Sequence, residues 1–199
     1  MADRLPEELQ AYIDRLPGGL DAYPDHRSKA SVLRAFLDGH DMDALRAALP
    51  AELAALADPK TAVTTWLPEV HLNAVMLARR AVFFDSDEAF VEDAAKRNRQ
   101  LIESPLYRML IKFFSTERVG AMGRTVFHQM HDGIELEIHP GTPMRWALRY
   151  PPHLMPELVA RCYATAATVA LELGGTRVTT EVVAFDEAHF MMEFRPLDP

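Results

Sequence analysis

Cysteine is nearly absent from this chain. Its 199 residues hold one, Cys162, which rules out an intramolecular disulfide and a cysteine-rich zinc site. No apolar run reaches the roughly 18 residues that suggest a membrane span. The opening Met1-Ala2-Asp3-Arg4-Leu5-Pro6-Glu7-Glu8 lacks the basic-then-apolar layout of a signal peptide, so a cytoplasmic location is expected. Excess positive charge is missing too. The formal net charge is −8, which argues against a nucleic-acid partner. No internal repeat or low-complexity tract occurs. The exception to the acidic balance is the window from Lys96 to Arg124, with seven bases and two acids, which reads as a solvated helical face or an anion-facing band.

What is present is a globular composition, 49% hydrophobic and 25% charged, enough for one domain with a sizeable core. Residues 1–60 read as a helical N-terminal extension and 61–199 as an α+β ligand-binding-like domain, the two forming one compact unit. Pro6 and Pro17-Gly18-Gly19 bracket a short first helix. Ser28 is placed to cap a helix to Leu37, and Asp41 the next one. Thr64 or Thr65 opens a helix that is apolar over much of its circumference, from Trp66 to Val82, with Pro68 in its first turn. Asp85-Ser86-Asp87-Glu88 breaks the chain and caps a helix reaching Ile102. Another runs from Ser115 or Thr116 to about His131, and its Gly120 and Gly123 permit close packing.

The second half changes period. Ile134, Leu136 and Ile138 alternate with Glu135, Glu137 and His139, and after Pro140-Gly141-Thr142-Pro143, Met144, Trp146, Leu148 and Tyr150 alternate with Arg145, Ala147 and Arg149. Matching the apolar faces requires pairing 137 with 145 or 135 with 149. Leu154 to Leu173 follows as a nearly uncharged helix, opened by Pro156 and closed by Gly174. Val178, Thr180, Val182 and Ala184, then Phe190, Met192 and Phe194, form a second hairpin. The fold class is therefore α+β: a helical N-terminal half packed on a C-terminal ββαββ unit, an antiparallel sheet with helices on one face.

Ser104-Pro105-Leu106-Tyr107-Arg108-Met109-Leu110, Ser115-Thr116-Glu117-Arg118 and the earlier Trp66-Leu67-Pro68-Glu69-Val70-His71 resemble a paralogous family of unknown function abundant in myxobacteria. The helical layer with its strand–strand–helix–strand–strand ending resembles the wider superfamily of vinyl-reductase-like sensors, haem nitric-oxide-binding-like domains and transport-particle subunits. The resemblance covers roughly residues 60–195. It implies a small-molecule or lipid pocket between helices and sheet, or a dimeric interaction scaffold. Zinc-holding members use several cysteines, and haem-binding members a proximal His with a Tyr-x-Ser-x-Arg phrase. This chain has neither feature, so the expectation is no cofactor, with zinc and haem both set aside.

Arg108, Met109, Lys112, Phe113, Trp146, Tyr163, Met191 and Met192 are the candidate ligand-binding residues. Met and aromatic side chains adapt to apolar ligands, and Arg108 and Lys112, four apart on one helix face, suit an anionic headgroup. His128, His131 and His139, with Glu135 or Glu137, are the candidate metal ligands. Cys162, on an apolar stripe, reads as a core residue. The leading expectation is a non-enzymatic sensory domain that binds an apolar or amphipathic molecule and signals through protein contacts. A homodimeric scaffold without ligand and a metal-dependent enzyme using the His cluster are the alternatives. A homodimer is expected from the small-residue faces of the 154–173 helix and from Val183, Phe185 and Met191.

Overall fold

The computed structural model describes residues 5–58, 62–105 and 119–197. Seven α-helices occur among them: α1 (Glu7–Arg15), α2 (Ala30–Leu37), α3 (Met42–Ala47), α4 (Glu69–Phe83), α5 (Asp87–Glu103), α6 (Val119–Met130) and α7 (Glu157–Leu173). The strands are β1 (Arg27–Lys29), β2 (Trp66–Pro68), β3 (His131–Asp132), β4 (Glu135–His139), β5 (Met144–Arg149), β6 (Val178–Phe185) and β7 (His189–Pro196). All pairings are antiparallel. They build a small sheet of order β2-β1-β3 and a larger one of order β4-β5-β7-β6. The α+β reading of the sequence holds.

Local chemistry explains most element ends. Asp41 caps α3 by accepting from the backbone N–H of Asp43 and Ala44, and Ser86 caps α5 by accepting from Ala89, with Asp87 and Glu88 in the first turn. Helix α4 is buried along nearly its whole length, as its all-round apolar sequence requires. Helix α7 lies against α5 and against β6. Asn98 of α5 donates to the Cys162 carbonyl at 3.1 Å and to Thr165 Oγ1 at 2.9 Å, satisfying its buried amide. The carbonyl of Leu154, just before α7, accepts from Tyr12 of α1 and from Asn73 of α4, each at 2.8 Å.

In the large sheet the 135–149 register is the one adopted, with Leu136 opposite Leu148 and Ile138 opposite Trp146. Trp146, Leu148, Phe190, Met192 and Phe194 are all buried on its helix-facing side. Each large apolar side chain contributes about 1.5–3 kcal/mol there. A bulge in β6 at Val183 moves Ala184 opposite Met191 and Phe185 opposite Phe190. The strict alternation expected for this strand is thereby shifted, and Phe185, expected at the surface, packs against the core.

The small sheet is the larger departure from expectation. Trp66–Pro68 forms strand β2 instead of a first helical turn, and α4 begins only at Glu69. Ser28 does not cap α2. It sits in the middle of β1, opposite Leu67 on one side and His131 on the other. His131 is likewise a strand residue and not the end of a helix.

Candidate functional site: a buried network beside a cavity

Three segments far apart in sequence converge on this small sheet. Beta pairing sets Ser28 beside His131, and the turn from β2 into α4 is pinned by a 2.8 Å bond from the Glu69 N–H to the His26 carbonyl. This places the Glu69 side chain under the sheet, where α7 brings Tyr163 to meet it. Glu69 has no solvent exposure at all.

The four side chains satisfy one another. Ser28 donates its hydroxyl proton to Glu69 Oε2, and Tyr163 donates to Glu69 Oε1 at 2.6 Å. His131 Nδ1 lies 2.8 Å from Ser28 Oγ, 3.0 Å from the Tyr163 oxygen and 3.5 Å from Glu69 Oε2. Both hydroxyl protons are committed to the carboxylate, so Nδ1 must itself carry a proton and donate. Burial works to raise the Glu69 carboxyl. The hydrogen bond and charge of His131, followed by the Ser28 and Tyr163 bonds, outweigh it and hold Glu69 below the usual carboxylate range. Tyr163 is pushed the other way, well above an ordinary phenol, by burial of its hydroxyl and by the Glu69 charge, although part of its ring is accessible. The result is an ionised, fully buried carboxylate gripped by neutral hydroxyls and an imidazole, with Phe127 stacked on the imidazole at 4.8 Å between centroids.

Next to this network, between α6, α7 and the inner face of the large sheet, lies a cavity of about 80 Å³. His131 and Tyr163 form part of its wall, together with Gly123, Phe127, Trp146 and Met192. The same two network residues also border a second cavity of about 40 Å³, on the side of Cys162 and Met76. Gly123 brings α6 close to the sheet: a Cβ there would lie 3.0 Å from Ile138 Cδ1 and 3.4 Å from the Trp146 ring. Trp146 is 5% exposed, and its indole N–H has no hydrogen-bond partner.

Of the residues singled out in the sequence, Trp146, Tyr163 and Met192 do come together on this wall. Met191 does not. It faces the outer side of the sheet, opposite Ala147 and Ala184, because successive strand residues point to opposite faces. Arg108, Met109, Lys112 and Phe113 lie outside the described residues. The histidines are not gathered into a metal cluster. His131 is turned into the network, whereas His128 on α6 and His139 at the end of β4 are exposed, the latter 3.5 Å from Glu137. Among the described residues no group of three or more His, Cys, Asp or Glu side chains is placed to hold a metal. Cys162 is buried, and burial pushes its thiol up to about 12, the behaviour of a core residue. Ser28 and Glu69 escaped the sequence reading. The available signal was an acid inside a stretch that is otherwise apolar on every side.

The arrangement of the described elements has counterparts among solved structures. Its fold is similar to that of the H-NOX domains. One counterpart is described as "Cs H-NOX mutant with unnatural amino acid 4-cyano-L-phenylalanine at site 5", at a TM-score of 0.60 and 10% identity over 86% of this chain and 97% of that one. A second is an "oxygen binding H-NOX domain related to soluble guanylate cyclases (oxygen complex)", at 0.56 and 10% over 85% and 93%. A third, from "Probing the function of heme distortion in the H-NOX family", gives 0.60 and 10% over 86% and 96%. At this identity the likeness is one of fold. No protein-family model matches the sequence, and no curated protein does.

These neighbours correct one expectation. The missing Tyr-x-Ser-x-Arg phrase and the single cysteine point to a chain without cofactor, yet the fold is similar to that of H-NOX domains, one of them described by its haem and another by its bound oxygen, so that exclusion does not stand. The residues on the cavity wall meet a haem in one respect. His131 is the one imidazole among the described lining residues, and a carboxylate behind Nδ1 is how metal-bound imidazoles are commonly braced. In volume they do not. About 80 Å³ compares with roughly 300–1,000 Å³ for pockets that hold drug-sized molecules, and Trp146, Leu148 and Tyr150 occupy the inward positions of the β5 segment. A haem therefore does not fit the cavity in this closed form, and no step below passes through one.

Proposed function

We propose that this chain is a sensory domain that takes up a small, mainly apolar molecule in the 80 Å³ cavity and passes its occupancy to a protein partner. One observation carries the reading: the cavity wall includes His131 and Tyr163, two members of a buried network that also holds β1 and the start of α4. A ligand that shifts either side chain disturbs the bonds of Ser28 and Glu69, and through them the small sheet. The fold shared with H-NOX domains supports a ligand-binding role of this kind. Kinship with the myxobacterial paralogous family and a cytoplasmic location belong to the same proposal. Among the described residues no helix is long and apolar enough to cross a membrane.

Native mass spectrometry of protein purified from its own host, followed by extraction of the bound compound, tests the reading. The expected result is a small organic mass on the wild type and its loss in Ala170→Leu, which enlarges a side chain on the cavity wall. Protein that carries nothing and shows no thermal shift across a panel of small apolar molecules would turn the reading to a ligand-free scaffold. Hemin is included in the panel, because the fold neighbours are haem domains. A Soret band that His131→Ala abolishes would replace the present reading with a haem domain. Pairing of two copies is part of the proposal as well, supported by exposed Val182 and Val183 on β6, an edge strand. A monomer mass in sedimentation at micromolar concentration would count against that part.

A further inference from the structure

The unpaired indole N–H of Trp146 bears on what the cavity takes. An N–H group buried without a partner is costly, and buried polar groups in native proteins are nearly always paired. Here the ring is 95% buried and lines the cavity. On the same wall the Tyr163 hydroxyl and His131 Nδ1 are held by Glu69 and Ser28. Gly123 lets α6 approach the ring closely: a Cβ added there would lie 3.4 Å and 3.5 Å from two ring carbons.

We infer that the molecule bound here is neutral, carries one hydrogen-bond acceptor and is otherwise apolar, a small ketone or aldehyde in class, its carbonyl oxygen accepting from Trp146 Nε1. This rests on the ligand-binding reading above. Size, charge and polarity each narrow the class. The volume is roughly half of the ~150 Å³ that takes up benzene in an apolar protein cavity, which suits about three to five heavy atoms. No Lys or Arg is found among the described lining residues, so a carboxylate or phosphate would be left without a counter-charge in apolar surroundings. A molecule with a single acceptor and an apolar remainder matches what the wall presents.

The test uses two probes of the same shape, 2-butanone and 2-methyl-1-butene, in which a methylene replaces the carbonyl oxygen. Dissociation constants are measured by NMR titration on the full-length wild type and on Trp146→Phe, which removes the N–H and keeps an aromatic ring. The expected result is an affinity loss of about tenfold for 2-butanone, the size of one net hydrogen bond. Affinity for the alkene is expected to stay within about twofold, which also shows that the variant keeps its cavity. In the wild type the Trp146 indole N–H resonance moves downfield with 2-butanone and not with the alkene, so the assignment is decided even if the variant fails to fold. An equal loss for both probes, or no loss for either, overturns the acceptor assignment while leaving a ligand cavity in place. Failure of both probes to bind the wild type overturns the ligand-binding reading itself.

Discussion

The two sheets of this protein hold their carboxylates in opposite ways. On the outer face of the large sheet Glu137 accepts from Arg149 at 2.9 Å, in contact with solvent, and the hydrogen bond from that arginine holds its carboxyl below the usual range. Beneath the small sheet Glu69 is fully buried and has no arginine among its described partners. It is kept ionised by two hydroxyls and an imidazole against the full penalty of burial. Water can replace Arg149 at almost no loss, whereas nothing can replace Ser28, His131 and Tyr163. The surface ladder therefore selects strand register, and the buried network fixes where β1, β2, β3 and α7 meet.

The comparison can be broken most severely at Glu69. Glu69→Ala leaves the two hydroxyls and the imidazole without their common acceptor. It is expected to lower unfolding free energy by about 3–5 kcal/mol in urea titration, the cost of removing one partner from a buried charged cluster. Glu69→Gln, which keeps one acceptor, is expected to lose less. A smaller effect comes from pH. The folded-state value of Glu69 is depressed, so its stabilisation is present above the unfolded carboxyl value of about 4.3 and is lost as pH falls through the folded value. The urea midpoint of the wild type should therefore fall more steeply below about pH 4 than that of Glu69→Gln. Equal slopes would mean that Glu69 is not the ionised centre of the network. The smallest change is expected at the surface: Arg149→Ala should leave the urea midpoint where it is in about 0.5 M salt, which screens exposed pairs. A clear drop there would erase the distinction between the two sheets.

How much of this was legible in the sequence differs between the same two regions. The large sheet announces itself, because strands of five to eight residues with one buried face repeat apolar side chains at period two. The small sheet does not. Its strands span two or three residues, too few for any period, and β1 and β3 lie over a hundred residues apart. Ser28 consequently looks like a helix cap and His131 like one of a trio of histidines. Trp146, Tyr163 and Met192 were recognisable as pocket residues because they are bulky side chains on elements whose buried face the pattern already gives. Met191 was not separable from Met192 by composition, only by the face on which strand pairing sets it.

The Leu154 carbonyl has a consequence for anyone trimming the chain. By accepting from Tyr12 and Asn73 together, it fastens the first helix and the central one to the same point at the foot of α7. Deleting residues 1–60 would not release a smaller module. It would strip β1, and with it Ser28, out of the small sheet, leave β2 and β3 with nothing between them, and uncover Glu69 from above.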